Sequence, residues 1–168
     1  MKIIYYILGA FLLLFKRINF SRLASESRAA SLRISGAKIG SGVTIRPGVT
    51  VSNCRGVEIG NGCYLGENTI ISATGSKVTI GANTLIAPNN IIVARQHVIS
   101  GKDPIKFSGY KNKAITIQSN CWIGAGCKIL SGVTIGEGSV VAAGAVVNKN
   151  IDDFCICGGI PVKLIKER

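Results

Sequence analysis

Aliphatic residues return every six positions along most of the chain, from residue 39 to residue 147. The recurring positions are Ile39, Ile45, Val51, Ile59, Leu65, Ile71, Ile80, Ile86, Ile92, Ile117, Ile123, Ile129, Ile135, Val141 and Val147. A six-residue period of this length predicts a parallel β-helix, in which three short strands complete one turn of a triangular prism. We therefore expect a mainly β solenoid of about five coils, with the aliphatic side chains along its axis.

A second position, four residues after the aliphatic one, carries a small side chain that is expected to turn inward near a corner. These residues are Val43, Val49, Cys63, Thr69, Thr84, Cys121, Cys127, Val133, Ser139 and Ala145. Three cysteines are thereby predicted to be small buried apolar groups, the usual role of a free cysteine. The corner glycines are predicted to supply backbone conformations that other residues resist. They are Gly40, Gly60, Gly66, Gly81, Gly124 and Gly136.

The repeat stops between Ile92 and Ile117, where residues 93–114 form a long interruption. Long insertions in compact domains usually carry function. This one contains His97, the single histidine of the chain. His97 is therefore a candidate general base, and a solvent-facing loop histidine is the alternative. The shorter breaks near 53–58 and 73–78 indicate only widened corners.

The N-terminal segment differs from the repeats because an apolar run, Ile3 to Phe15, is followed by a basic stretch. As a helix the run would be about 20 Å long, short of the ~30 Å hydrocarbon core of a bilayer. Residues 17–34 have a weakly amphipathic helical pattern. We expect residues 1–34 to be a helical segment that associates with the inner face of the plasma membrane. A cleaved signal peptide and an ordinary packed helix are the alternatives.

The net charge of +12 narrows the range of partners. Half of this excess lies within residues 1–38, and an anionic membrane surface and a polyanionic cofactor both fit it. Nucleic acid is not expected, because no zinc-finger spacing or stacking surface accompanies the charge. The cysteines form no CxxC pair and there is one histidine, so no metal is expected and a reduced, cytoplasmic setting is favoured. Only 6% of the residues are aromatic, which disfavours a helical bundle.

Several stretches of the sequence are similar to the hexapeptide-repeat acetyltransferases, in particular the galactoside, maltose and capsular polysaccharide O-acetyltransferases. The matching stretches are Ile80–Asn89 leading to His97, Cys121–Gly126, Ser131–Gly136, Ala142–Lys149 and Gly158–Lys163. The resemblance covers residues 39–166. It implies a left-handed β-helix at residues 35–154, preceded by the segment 1–34 and followed by a C-terminal tail at residues 155–168.

The resemblance also implies a chemistry and a set of site residues. The family works as homotrimers with active sites between neighbouring subunits, and its loop histidine, here His97, is the general base of acetyl transfer from acetyl-CoA. Positions matching the family's coenzyme A contacts are Ala125, Ala143, Lys149, Lys163 and Lys166. Ala125 would lie beside the thioester and the lysines would face the phosphates.

The acceptor site is the part of the family pattern that this sequence matches least. The galactoside enzymes have an asparagine two coils before the loop, where this chain has Glu67 and Asn68. Asn68 is alternatively a corner residue. Trp122 is expected at the pantetheine or acceptor cleft, or packed in a trimer interface. Asp103 is a candidate partner for His97, or a surface acid.

These observations predict an O-acetyltransferase acting on a sugar, with a surface polysaccharide or lipid-linked oligosaccharide precursor as acceptor. Two alternatives remain. A serine O-acetyltransferase shares the repeat and the histidine chemistry, but its long helical N-terminal domain does not fit into 38 residues. A non-catalytic, membrane-associated β-solenoid scaffold would need neither His97 nor coenzyme A, and it leaves the long loop unexplained.

Overall fold

The computed structural model describes residues 20–102 and 104–168. Helix α1 spans Phe20–Ile34. The strands are β1 (Lys38–Ile39), β2 (Thr44–Ile45), β3 (Thr50–Ser52), β4 (Val57–Ile59), β5 (Tyr64–Leu65), β6 (Ile70–Ser72), β7 (Val78–Ile80), β8 (Leu85–Ile86), β9 (Ile91–Val93), β10 (Ile115–Ile117), β11 (Trp122–Ile123), β12 (Lys128–Ile129), β13 (Thr134–Ile135), β14 (Val140–Val141), β15 (Val146–Val147), β16 (Cys155–Gly158) and β17 (Lys163–Glu167). Short 3₁₀ turns occupy Cys54–Gly56 and Ile105–Phe107.

Strands three apart in sequence pair in parallel, so that each set of three forms one coil. Sheet A contains β1-β4-β7-β10-β13, sheet B contains β2-β5-β8-β11-β14-β16-β17, and sheet C contains β3-β6-β9-β12-β15. The register aligns the predicted repeat positions, as where Ile80 lies between Ile59 and Ile117. The expectation of a mainly β, parallel solenoid of about five coils is confirmed.

The axis of the prism is filled by the predicted aliphatic residues. All of them are buried except Ile39 and Val51 in the first coil, which are partly exposed because no coil covers that end. Full burial of one such side chain contributes about 1.5–3 kcal/mol. The predicted small inward residues are buried too, apart from the partly exposed Val49. Asn90 shares their position in the repeat and is fully buried, although the sequence does not single it out.

The corner glycines have a different role from the predicted one. None of the six adopts a left-handed φ, so the expectation that they supply unusual backbone conformations is wrong. They are needed because consecutive coils approach closely at these corners. A Cβ on Gly66 would lie 2.5 Å from the carbonyl carbon of Ala87, and one on Gly124 would lie 2.5 Å from the amide nitrogen of Ala143.

Helix α1 covers the open edge of the first coil with polar side chains. Ser25 Oγ accepts a hydrogen bond from the Ile45 amide at 2.7 Å, and Arg28 donates to the Ile45 carbonyl at 2.8 Å. Arg33 donates to the carbonyl groups of Ile39 and Gly40. Strand-edge groups that would otherwise lack partners are thereby satisfied. The predicted helix is confirmed over Phe20–Ile34, whereas the apolar run Ile3–Phe15 lies outside the described residues.

The predicted C-terminal tail contains two strands of the solenoid. Strand β16 pairs in parallel with β14 and thus extends sheet B beyond the fifth coil. The chain then reverses at a turn containing the cis peptide Ile160–Pro161, and β17 pairs antiparallel with β16. Cys155 and Cys157 are consequently buried at the end of the core. None of the described segments forms a helix with the length and hydropathy that crossing a bilayer requires.

Candidate functional site

The predicted interruption is an arm that leaves the corner between sheets C and A, connecting β9 to β10 through residues 94–114. Its two sides are joined by hydrogen bonds from the Val98 amide to the Gly109 carbonyl and from the Lys111 amide to the Gln96 carbonyl. At its base, Ser131 Oγ accepts a hydrogen bond from the Lys113 amide. The arm is therefore a hairpin anchored to the neighbouring coil.

His97 lies on the arm directly opposite Tyr110, and its side chain is exposed. The two ring centroids are 4.5 Å apart with an interplanar angle of 47°. Arg95 Cζ also lies 3.4 Å from the centroid of the Tyr110 ring. Within the described ranges, no residue makes a hydrogen bond to the imidazole of His97. Asp103, its predicted partner, lies outside the described residues, and that contact stays a prediction.

A second group of predicted residues lies at the corner between sheets B and C. Ala125 and Ala143 occupy successive turns there, and the Gly144 amide donates to the Ala125 carbonyl at 2.8 Å. A Cβ at Gly126 or Gly144 would meet no atom within 4 Å, so this corner is open. The Ala125 amide donates to no acceptor in the described part of the chain. It is therefore available to an external oxygen atom.

The Ala125 turn is fixed from inside the prism by Asn90, a residue that the sequence analysis missed. Asn90 Oδ1 accepts a hydrogen bond from the Cys127 amide at 2.8 Å, and its Nδ2 donates to the Ala87 carbonyl at 2.6 Å. The bond to the Cys127 amide is buried and the bond to the Ala87 carbonyl is partly buried, so the loss of Asn90 is costly. One feature of the sequence could have identified Asn90: it lies four residues after Ile86, a position at which other repeats have a small residue.

Glu67 and Asn68 occupy the same corner as Ala125, two coils nearer the N-terminus. Glu67 makes an ion pair with Arg46 at 2.7 Å. The pKa of Glu67 is lowered, chiefly by its own backbone amide and then by Arg46. Asn68 has a left-handed φ of 58° and donates to Asn89 Oδ1 at 3.4 Å. Asn68 thus has the corner role that the sequence left open, and its amide group still lies at the surface of this corner.

The predicted phosphate-binding lysines gather at the C-terminal end of the solenoid. Lys149 and Lys163 line one small cavity of about 110 Å³, together with Cys155 and Cys157. Lys163 is paired with Gly158 and Lys166 with Ile156, because a bulge shifts the register between the two pairs. Gly158 and Ile156 are two residues apart on β16, so the two lysines lie on one face of the sheet. Burial raises the pKa of Cys157, with a further contribution from Cys155. Nowhere in residues 20–102 or 104–168 do three or more metal-ligating side chains cluster.

Trp122 lies apart from the arm, from the corner between sheets B and C, and from the C-terminal lysines. It is on the outer face of sheet B, where it pairs with Leu85 and Val140 and is 54% exposed. Tyr64 precedes Leu85 in the same outward row. The row is an apolar surface.

Apart from the C-terminal lysines and Trp122, the predicted site residues that the structure describes are therefore divided between two corners of the prism. Glu67, Asn68, Ala125 and Ala143 share the corner between sheets B and C, whereas the arm that carries His97 begins at the corner between sheets C and A. Sheet C separates these corners within one chain.

Comparisons with known proteins agree with this architecture. Residues 114–149 match the family model described as bacterial transferase hexapeptide (six repeats). The chain is 34% identical over 147 residues to galactoside O-acetyltransferase of Escherichia coli K12, covering 84% of this chain and 69% of that protein. It is 32% identical to the putative colanic acid biosynthesis acetyltransferase WcaF of the same organism, covering 84% and 75%. The structure of a galactoside acetyltransferase in complex with coenzyme A matches with a TM-score of 0.78 at 29% identity, covering 95% and 78%.

Proposed function

The chain belongs to the hexapeptide-repeat acetyltransferase family, and from this premise we propose that it transfers the acetyl group of acetyl-CoA to a sugar hydroxyl with His97 as general base. Its relatives include galactoside O-acetyltransferases, and a structural neighbour has coenzyme A bound, which supports the acyltransferase class and acetyl-CoA as the co-substrate. The observation that carries the finer proposal is the exposed imidazole of His97, which lies on the hairpin arm opposite Tyr110.

In the proposed reaction His97 removes the proton from the acceptor hydroxyl as its oxygen attacks the thioester carbonyl carbon. The Ala125 amide donates to the oxyanion that forms. The carbon–sulfur bond then breaks, and His97 returns the proton to the departing thiolate, which gives coenzyme A and an acetyl ester. Such a base is worth about 10²- to 10⁴-fold in rate.

The corner between sheets B and C has the features that an extended pantetheine arm requires. Ala143 and the open positions at Gly126 and Gly144 leave room for a chain lying along the solenoid. Lys149 and Lys163 lie together at the C-terminal end, and Lys166 shares a face with Lys163. We assign these three cations to the coenzyme A phosphates.

The separation of His97 from Ala125 supports a homotrimer with shared sites, as in the family. In this arrangement the arm of one subunit brings His97 to the Ala125 corner of its neighbour. The apolar outward row around Trp122 would then pack between subunits or border the cleft. Glu67 and Asn68, on the same corner, are the candidate contacts to the acceptor.

The subunit arrangement can be tested by complementation. His97→Ala and Ala125→Pro each remove one half of the proposed site, since proline has no amide hydrogen. When the two variants are co-expressed, random trimers should regain about one quarter of the wild-type activity, because only shared sites can combine an intact half from each subunit. Sites built within one chain would give no recovery.

The acceptor proposed is a surface polysaccharide or lipid-linked oligosaccharide precursor, and residues 1–34 would hold the enzyme at the inner face of the membrane. The support is the basic N-terminal sequence and the similarity to a putative colanic acid biosynthesis enzyme. Sedimentation with anionic vesicles tests the membrane proposal. Lys16→Glu/Arg17→Glu should weaken binding, whereas Lys77→Glu on the solenoid should not. Equal binding by all three proteins would contradict it.

The decisive test of the reaction is thiol release from acetyl-CoA in the presence of a panel of sugar acceptors. His97→Ala should lower the rate by about 10²-fold or more. Gln96→Ala is the matched control, because Gln96 is the exposed neighbour on the same arm and uses only its backbone in the hairpin. Wild-type activity in His97→Ala would refute the base. Absence of both coenzyme A binding and acetyl transfer in the wild type would instead favour a non-catalytic scaffold.

A further inference from the structure

The geometry of the arm points to a positioning role for Tyr110 and Arg95: we propose that Tyr110, held by Arg95, fixes the orientation of the His97 imidazole. This inference rests on the proposed function of His97. Neither the sequence nor the comparisons give a role to Tyr110 or Arg95. Together these residues provide an orienting group for His97 among the described residues.

The backbone of the arm forces the two rings together. Hydrogen bonds from Val98 to Gly109 and from Lys111 to Gln96 enclose His97 and Tyr110 between them. That pattern makes them a non-hydrogen-bonded antiparallel pair, the kind in which opposite side chains approach most closely. The 4.5 Å separation of the ring centroids is at the short end of the range for interacting aromatic pairs.

Arg95 contacts the Tyr110 ring from the same side of the hairpin that carries His97. Residues two apart on a strand point to one face, so Arg95 and His97 both reach Tyr110. The guanidinium lies 3.4 Å from the ring centroid, well within cation–π range. Throughout the described ranges, no side chain or carbonyl accepts a hydrogen bond from Arg95. No hydrogen bond of Arg95 therefore competes with its contact to the Tyr110 ring.

An exposed histidine without a hydrogen-bond partner would change rotamers freely. Contact with the Tyr110 ring, which is itself in contact with Arg95, restricts this freedom. A base must lie within hydrogen-bond distance of the proton that it removes, and a misplacement of 1 Å can cost about 10²-fold in rate. The positioning depends on the ring of Tyr110 and not on its hydroxyl group, because the ring makes both contacts.

The experiment exploits the single histidine of the chain, which gives one set of imidazole signals in the NMR spectrum of the full-length protein labelled with ¹³C-histidine. Tyr110→Leu should remove the ring-current shift of the His97 signals and increase their motional averaging. Tyr110→Phe should retain both properties. Phe107→Leu is the matched control, because Phe107 is an aromatic residue of the same arm, is 79% exposed, and contacts Lys106 instead of His97. Arg95→Gln should give an intermediate spectrum.

Kinetics provide the second readout. Tyr110→Leu should lower kcat by about tenfold or more while the KM for acetyl-CoA stays near the wild-type value, and Tyr110→Phe should restore kcat. Unchanged His97 signals in Tyr110→Leu would overturn the inference, as would failure of Tyr110→Phe to preserve them. If Tyr110→Leu changes the NMR signals and His97→Ala remains fully active, the contact exists but the proposed catalytic role of His97 is wrong. Circular dichroism establishes that each variant keeps the solenoid fold.

Discussion

Replacement of Asn90 by alanine should destabilise the solenoid at the point where it supports the candidate site. Asn90 is fully buried and makes two short hydrogen bonds, one within its own turn and one to the turn of the next coil. In Asn90→Ala the Cys127 amide loses its acceptor inside the prism. The Ala87 carbonyl keeps only a longer bond from Thr69 Oγ1, at 3.4 Å.

The magnitude follows from these two losses. A buried donor left without a partner costs about 1–3 kcal/mol, and a net hydrogen bond contributes about 1 kcal/mol. We therefore expect the free energy of unfolding to fall by about 2–4 kcal/mol. The Ala125 turn should also shift, because Cys127 is two residues away, and acetyl transfer should decrease even where the protein remains folded.

Urea unfolding followed by circular dichroism at a fixed protein concentration measures this effect. The midpoint should decrease with little change in the denaturant slope. Asn148→Ala, at an exposed position, is the control and should change stability by less than about 0.5 kcal/mol. Asn90→Thr should recover part of the loss, because Thr84 makes the equivalent bond to the Cys121 amide one strand earlier. An unfolding midpoint of Asn90→Ala equal to that of wild type would refute this reasoning.

Three further predictions concern the coils and the C-terminal end. Gly66→Ala should lower the urea midpoint, because its Cβ would lie 2.5 Å from the backbone of Ala87 and the coils must separate to admit it. Three buried thiols should resist Ellman's reagent in the native protein and react after unfolding; they are Cys63, Cys121 and Cys127. Burial raises the pKa of these three thiols, so they favour folding at neutral pH. This contribution should be lost as the pH rises above the usual thiol pKa of about 8.5. A urea midpoint that does not fall in alkali would contradict this prediction. Lys163→Ala should raise the Kd for coenzyme A, measured by calorimetry, and reduce the salt dependence of binding. Equal affinity of the variant and the wild type would show that Lys163 does not bind the phosphates.

The predictions made from the periodicity were accurate because a solenoid repeats one local rule. Every coil places an aliphatic residue on the axis and a small one near a corner, so spacing alone identifies most of the core, including Cys63, Cys121 and Cys127. The rule also explains what was missed. Asn90 departs from the expected small residue, and its buried amide group is accommodated because the Cys127 amide of the next coil and the Ala87 carbonyl of its own turn both bond to it.

The reason for the corner glycines could not be read from one repeat, because the steric contact that excludes a side chain comes from the following coil. Similarly, Lys163 and Lys166 lie on one face of the sheet because of a bulge that sequence spacing does not reveal. Residues three apart on a regular strand would point to opposite faces.

The sequence by itself determined the axis, the number of coils, the position of the arm and the identity of its single histidine, since these follow from a local period and its interruption. The tertiary structure decided which side chains meet: it placed His97 and Arg95 each against Tyr110, and it put Ala125 at a different corner from the arm. Contacts of this kind depend on hairpin register and on the path of the chain around the prism, neither of which a one-dimensional pattern contains.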